Sequence, residues 1–462
     1  MSTRSGWQHR LTVPQFTLVT GMLVIAVGTL LMASPVCSST DVGLWEALFT
    51  VTSAITVTGL SIIDVGTDLT LVGQMVLAGL ILTGGLGLMA ITTFLQGFVQ
   101  GRSGLRHRLD KGRALDEFGV GGIGTTFHQI LVIAAAVIAV GTVILYTYGF
   151  ADIHNRGERL WAALFHCISA YNNAGFGLWS DSLVSYRQQP VVNAVIAALI
   201  VIGGIGWRVA NDLWVNRFRL GHLHRLSRLS LHTRLVIRST VVLIILGTVG
   251  LLFTEHFATE RMVGSMGWWD QVQVTLFQSI TTRTAGFNTV PLTVDTISDA
   301  GLLLMMALMF IGASPGGTGG GIKTTTFAAL VAATRATLRG EEEVVVRNRE
   351  IPDKVVLRAI GVALSSALFV LGMALVLGLG NTAAGASGGE PFSFLEKLFT
   401  CVSAFGTVGL DVGVTAQLNR WGQLVLMVGM FVGRVGILLL LSSLYPSRTH
   451  NRVGYPREEL YL

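Results

Sequence analysis

The chain has 462 residues, of which 51% are hydrophobic and only 13% charged, and its formal net charge is +6. An average soluble domain carries about 25% charged residues, so this composition excludes an ordinary soluble enzyme and indicates an all-α membrane protein. The cysteines Cys37, Cys167 and Cys401 are widely separated, and their spacing predicts neither a disulfide framework nor a zinc site.

Apolar runs of about the length that a bilayer-spanning helix requires recur along the whole chain, and the first begins at Phe16. Between them, a short pattern occurs four times. Each copy has a Leu-Phe pair, then a short polar stretch that ends in glycine and an apolar residue. The glycines Gly59, Gly175, Gly286 and Gly409 are separated by 116, 111 and 123 residues. This spacing indicates an internal fourfold repeat.

A second glycine signature follows each copy in phase, around Gly84, Gly203, Gly312 and Gly433. The repeating unit is therefore a helix, a short half-helix, a polar loop and a second helix. We predict repeats at residues 1–98, 99–215, 216–338 and 339–445, and a cytoplasmic tail at 446–462. Residues 46–54 and their counterparts are too short to cross a bilayer, so we expect eight transmembrane helices and four re-entrant loops around a central pore.

The basic residues predict the orientation. Alternating assignment of the loops places 23 of the 32 Lys and Arg on the side of both termini and six on the opposite side, with Arg283, Lys323 and Arg434 left over. By the positive-inside rule, both termini are expected in the cytoplasm. All four re-entrant loops then enter from outside.

The polar loops can supply oxygen ligands to a dehydrated cation, since rings of backbone carbonyls replace a hydration shell. Glycine permits positive φ and close approach of the backbones at the narrowest point. The alternative is that these glycines only pack helices. The first hypothesis predicts a potassium-binding selectivity filter at Val57, Thr58, Gly59, Asn173, Ala174, Gly175, Thr284, Ala285, Gly286, Thr407, Val408 and Gly409.

The motifs NNAGF, RTAGFN and TVGLD, together with the fourfold plan, resemble the superfamily of Trk, Ktr and HKT potassium transporters. The resemblance extends from about residue 16 to about residue 444. Because the first repeat begins almost at once, the chain is most similar to the KtrB membrane subunit. One departure is the charged Arg208 in a segment that is usually apolar, and we expect it to mark the cytoplasmic end of that helix.

The resemblance implies a multi-pass protein of the cytoplasmic (inner) membrane that takes up potassium through a filter with one central glycine per loop. It also implies a homodimer and a cytosolic nucleotide-binding regulatory subunit of the KtrA/TrkA type. Membrane lipids are the simpler partners of the basic loops, and no nucleic acid is expected. No cofactor is expected in this chain beyond the transported potassium ion or a sodium ion.

Two charged positions lie in apolar surroundings near the filter. A charge at the bilayer centre costs at least about 2.5–3.5 kcal/mol, so Arg434 should face a cavity or a partner. An ion pair, or a side chain that snorkels to the membrane surface, would satisfy the charge of Arg434. The resemblance instead implies that Arg434 forms an electrostatic barrier below the filter. Arg283 directly precedes a filter triplet and is expected to brace that loop from behind.

Residues 313–326 form a glycine-rich stretch in the third repeat, at the place of the second glycine signature. The crossing around it is far longer than a span requires, and Pro315 with the glycines should break the helix. Non-helical backbone at this depth must line a cavity, which predicts an intramembrane gate rather than a passive hinge. We call residues 313–326 the gating segment; its predicted gate residues, together with Arg434, are Gly316, Gly317, Gly319, Gly320, Gly321 and Lys323.

Other functional classes find weaker support. The gating segment fails the phosphate-loop pattern because Ile322 separates Gly321 from Lys323, and the dinucleotide-like motif from Gly85, with Asp110 downstream, lies within an apolar run. We therefore do not expect an enzyme. A sodium-permeable or sodium-coupled cation carrier of the same superfamily remains the alternative to potassium uptake.

Overall fold

The computed structural model describes residues 13–87, 120–216, 229–293, 295–346, 349–379 and 392–437. The predicted tail at 446–462, Asp110 and most of the basic segment 99–126 lie outside these ranges. Within them the protein is helical, with three isolated bridges and no β-strand. The helices are α1 (Val13–Met32), α2 (Leu44–Thr56), α3 (Leu71–Leu82), α4 (Val120–Ile144), α5 (Arg156–Tyr171), α6 (Pro190–Ile205), α7 (Trp207–Asn216), α8 (Leu231–Phe257), α9 (Trp268–Thr281), α10 (Asp299–Phe310), α11 (Thr324–Leu338), α12 (Asp353–Leu379), α13 (Phe394–Gly406), α14 (Val414–Gln417) and α15 (Arg420–Val435).

Four short helices, α2, α5, α9 and α13, carry the repeated Leu-Phe pairs. Each has a carboxylate in its first turn, which stabilises the positive end of the helix dipole. At α13 this becomes a capping box, in which the Ser393 hydroxyl accepts from the Glu396 amide and the Glu396 carboxylate accepts from the Ser393 amide. The phenylalanine of every pair is buried in the core: Phe49, Phe165, Phe277 and Phe399.

Contacts between the helices close into a circuit. The helix before each short helix packs against it, in the pairs α1–α2, α4–α5, α8–α9 and α12–α13. The helix after each short helix contacts the next short helix along the chain, in the pairs α3–α5, α6–α9 and α10–α13. The last of these helices, α15, contacts the first short helix, α2, so the chain returns to its starting point.

The helix that follows each short helix is interrupted at the second glycine signature. After α3 the chain forms a π-helical turn at Thr83–Gly87, and α6 meets α7 with a bend of 96°. Residues 311–323 separate α10 from α11, and α15 ends at Val435. The sequence predicted only the break in the third repeat, because proline marks that one alone. Arg208 lies just beyond the bend after α6, in agreement with its expected place at a helix end.

Three helices in the described ranges have the length and hydropathy to cross a membrane: His128–Gly149, Leu231–His256 and Asp353–Leu379. The bent pair Pro190–Ile205 and Trp207–Trp214 makes a fourth if it is one span. Shorter apolar helices in the described ranges are Leu18–Met32, Leu71–Gly87 and Asp299–Phe310. Apolar side chains on the outer helices, such as Leu23, Val140, Leu246 and Leu368, are more than half exposed. An apolar surface of this kind is expected to contact the lipid of a membrane.

Candidate functional site

The four predicted filter triplets, residues 57–59, 173–175, 284–286 and 407–409, share one backbone conformation. The first residue of each triplet is left-handed although it carries a side chain, with φ of 56° at Val57, 58° at Asn173, 70° at Thr284 and 51° at Thr407. The glycine of each triplet also has positive φ, at 94°, 71°, 79° and 91° in chain order. L-residues avoid this region, so the conformation reflects a shared constraint.

The backbone amides of the triplets point back into their own short helices. The amide of Thr58 donates to the Ser53 carbonyl at 2.8 Å, and that of Ala174 donates to the Ser169 carbonyl at the same distance. Val408 repeats this with Ser403 at 2.9 Å. In the third repeat, which is one residue shorter, Ala285 donates to Thr281. Within the described ranges, the triplet carbonyls accept no hydrogen bond, so their oxygens are free for a ligand.

The triplet glycines lie against one another in a ring. A Cβ built on Gly175 would lie 2.8 Å from the Ala285 carbonyl oxygen, and one on Gly286 would lie 2.5 Å from that of Val408. The same construction on Gly59 meets the Ala174 carbonyl, and on Gly409 it meets the Thr58 carbonyl. Each glycine therefore faces the middle carbonyl of the next triplet, and the fourth faces the first. A side chain fits at none of these positions.

The gating segment lies directly against the triplets. Its amide at Gly320 donates to the Thr407 hydroxyl at 2.9 Å, and Gly319 is packed against the Thr284 side chain. Gly316 and Gly317 lie beside Gly206, at the bend between α6 and α7, where the Trp207 amide donates to the Gly316 carbonyl at 3.2 Å.

Two of the glycines in this segment, Gly316 and Gly321, have φ of 77° and 66°, and Gly321 packs beside Gly312. The Lys323 ammonium donates to the Gly319 carbonyl at 2.8 Å, which closes the turn on itself. The predicted gate residues are thus grouped beside the triplets.

Arg434 connects the gating segment with the first repeat. Its guanidinium donates to the Thr318 carbonyl, to the Gly84 carbonyl at 2.7 Å and to the Gly85 carbonyl at 3.4 Å. The residue is buried, and no carboxylate within the described ranges pairs with it. Arg434 lies one residue before the end of α15 at Val435.

Arg283 lies behind the third triplet. It is buried, and one guanidinium nitrogen donates to the Gly312 carbonyl at 3.4 Å, where the gating segment begins. Thr318, a residue of the gating segment that the sequence did not single out, is fully buried and contacts the side chain of Asn173. Asp411, two residues after Gly409, accepts from the Thr400 hydroxyl at 3.1 Å and from the Thr415 amide. Thr318 could have been found as the single hydroxyl within the glycine run 316–321.

The family model of a cation transport protein, TrkH, matches residues 2–451. The Ktr system potassium uptake protein B of Bacillus subtilis is 34% identical over 98% of this chain and 97% of its own length. Its namesake in Vibrio alginolyticus is 35% identical over 92% of this chain and 90% of its own length. The potassium/sodium uptake protein NtpJ of Enterococcus hirae is 32% identical over 90% of this chain and 89% of its own length.

The same architecture occurs in a solved structure. The crystal structure of the potassium transporter TrkH from Vibrio parahaemolyticus superposes with a TM-score of 0.71 at 20% identity, over 96% of this chain and 87% of that one. The likeness at this identity concerns the fold. Together with the match of the family model along almost the whole sequence, it identifies the chain as a multi-pass membrane protein that belongs to the TrkH family of cation transport proteins.

Proposed function

We propose that this chain is the ion-translocating subunit of a Ktr/Trk-type system and takes up potassium across the cytoplasmic membrane. The observation that carries the proposal is the closed ring of four glycines with unpartnered carbonyls beside it. Four loops of equal conformation supply four equivalent sets of oxygen atoms, and a single polar loop would not need this repetition. We call residues 57–59, 173–175, 284–286 and 407–409 the filter.

A cation entering the filter must exchange its hydration shell for protein oxygens. The carbonyls of the triplets are available because no donor within the described ranges bonds them, and the amides that bond back into the short helices hold the loops in place. The four short helices end at the filter, so the negative ends of their dipoles face it. Both features favour a positive ion without any carboxylate ligand.

We propose a finer architecture as well. The proposal has four pseudo-symmetric repeats with the boundaries given above, eight crossings, some of them broken, and four re-entrant loops around a pore. Both termini are in the cytoplasm. The circuit of contacts that returns from α15 to α2 supports this reading, because four units arranged in a line would leave two ends without such contacts.

Below the filter, the gating segment with Arg434 forms the gate. The segment packs against two filter residues, and Lys323 and Arg434 add two cationic groups beside it. Since like charge opposes a permeating cation, this arrangement suits a barrier that must move or be neutralised for rapid flux.

Potassium is the proposed cargo, because two relatives above 30% identity are named for potassium uptake and align almost end to end. Sodium is the second candidate, as a permeating or coupled ion, since the name of NtpJ includes both ions. The proposed partners are a second copy of the chain, membrane lipids and a cytosolic nucleotide-binding subunit of the KtrA/TrkA type.

Growth of a potassium-uptake-deficient bacterium on limiting potassium tests the function. The chain should restore growth, and co-expression of its cytosolic partner should increase the rate. Tracer flux of sodium in the same cells separates the two ions. Failure to restore growth by a chain that is present in the membrane, with the partner co-expressed, contradicts the proposal.

A further inference from the structure

Thr318 is fully buried at the point where the gating segment meets the filter. Its hydroxyl contacts the side chain of Asn173, a filter residue from another repeat, at 3.2 Å. We propose that Thr318 is a specificity-determining residue that positions the filter through Asn173. The inference rests on the proposed function, since it assigns a role within the filter.

The contact belongs to a chain of buried hydrogen bonds across three segments. In the amide orientation that satisfies every donor, the Thr284 hydroxyl donates to the Asn173 amide oxygen at 3.2 Å. The Asn173 amide nitrogen then donates to the Thr318 hydroxyl at 3.2 Å, and that hydroxyl donates to the Tyr171 carbonyl at 3.2 Å. Asn173 therefore connects the second and third filter loops, and Thr318 connects Asn173 with the gating segment.

These bonds act on residues with unfavourable backbone conformations. Asn173 and Thr284 both have positive φ, and a conformation of this kind persists only when the surroundings hold it. Thr284 is also β-branched, which makes its left-handed state less favourable. Loss of the Thr318 hydroxyl removes a hydrogen-bond partner of the Asn173 amide nitrogen and of the Tyr171 carbonyl, while the amide nitrogen keeps its contacts with the Ala170 and Ile200 carbonyls. The side-chain link between the gating segment and the second filter loop is then lost, and the backbone at residues 173–175 is held less firmly.

Thr318 is attached to the second repeat, unlike the glycines that follow it. Its amide donates to the Gly203 carbonyl at 3.2 Å, and the Ser314 amide donates to the Gly204 carbonyl at 3.0 Å. The next residues, from Gly319 to Lys323, contact Thr284, Thr407, Gly312 and each other. A movement confined to residues 319–323 would therefore leave the bonds of Thr318 to the second repeat in place.

The experiment compares Thr318→Val, which keeps the shape and removes the hydroxyl, with Thr318→Ser, which keeps the hydroxyl. Potassium uptake is measured in uptake-deficient cells with sodium as competitor. Thr318→Val should lower the preference for potassium by roughly threefold to tenfold, the value of one net hydrogen bond. Thr318→Ser should retain it. Should Thr318→Val not reach the membrane, Thr318→Ala serves as the smaller variant with the same expected loss.

Ser314→Ala is the matched control, since it removes a hydroxyl of the same segment that bonds Thr324 at 2.8 Å and not the filter. It should keep the wild-type ion preference at any rate of uptake. A role in gating alone would change the rate in Thr318→Val at constant preference, and that result overturns the inference. Equal loss in Thr318→Ser also overturns it. If the wild type takes up potassium and Gly286→Ser alters its preference, the proposed function survives either outcome.

Discussion

Arg434 combines a charge with three backbone hydrogen bonds, and the two contributions make different predictions. The guanidinium holds the gating segment through Thr318 and the first repeat through Gly84 and Gly85. A lysine at this position would keep the charge but not the planar fork that reaches carbonyls on two separate segments, because its three donors lie on one compact ammonium. Substitutions of Arg434 can therefore separate the effect of its charge from the effect of its hydrogen bonds to the gating segment.

We expect Arg434→Ala to raise the maximal rate of potassium uptake, by about tenfold for each 1.4 kcal/mol of barrier removed. The measurement is initial uptake at saturating potassium, normalised to protein in the membrane. Uptake by the Arg434→Lys variant should stay as slow as in the wild type if the charge forms the barrier. It should be as fast as in Arg434→Ala if the hydrogen bonds to the gating segment form the barrier. Unchanged rates in both variants would show that Arg434 does not limit flux.

At the residue scale, the sequence predicted the filter triplets, and the structure places all four in equivalent positions beside one another. The phased spacing was sufficient because duplication preserves both the glycine and the polar residues before it. Thr318 was missed, since a single threonine among glycines has no periodicity. The left-handed backbone at Val57 and Thr407 was also missed, because β-branched residues ordinarily argue against that conformation.

At the scale of the elements, the α-helix after each short helix ends or changes its pattern at the second glycine signature, and in the third repeat the interruption is extended into the gating segment. Pro315 and the glycines predicted that one break in the sequence. The π-helical turn after α3 and the bend after α6 occur at glycines without proline, and a glycine within a helical pattern is compatible with both a bend and close packing. The element boundaries were thus less predictable than the elements themselves.

Deletion of residues 316–321 removes the contacts between the gating segment, the filter and Arg434. We expect faster and less regulated potassium uptake, because the barrier below the filter is lost while the short helices keep their own packing. Uptake with and without the cytosolic partner measures both effects. A passive hinge predicts instead that the shortened chain misfolds or transports no faster, as seen by membrane abundance and rate.

Gly206 offers a gentler change at the same element. Its φ is 93°, and a Cβ there would lie 2.9 Å from both the Pro315 carbonyl oxygen and the Gly316 carbonyl carbon. Gly206→Ala should therefore displace the gating segment and change the rate of uptake, with the filter retained. Gly87→Ala is the control, since a Cβ there meets nothing within 4 Å. Wild-type kinetics in Gly206→Ala would mean that the bend and the gate are independent.

At the scale of the whole molecule, the contacts form a closed circuit of four repeated units, and the fold agrees with that of a solved TrkH transporter. The class of fold was predictable from composition and repeats because a helix that crosses the hydrocarbon core needs about 20 consecutive, predominantly apolar residues. The count of eight crossings stays a prediction, since three helices in the described ranges span by themselves and a bent pair makes a fourth. Homodimerisation and the cytosolic partner stay predictions as well.

The central claim is that four loops of one chain form one filter with equal roles. Its most direct test is the ratio of potassium to sodium uptake in four single variants, Gly59→Ser, Gly175→Ser, Gly286→Ser and Gly409→Ser. Each glycine has positive φ and lies against a carbonyl of the next loop, so each variant should lose about tenfold or more in discrimination. The control Gly372→Ala, on the exposed face of α12, should keep the wild-type ratio. Loss in some of the four variants and wild-type discrimination in the others would contradict a fourfold filter.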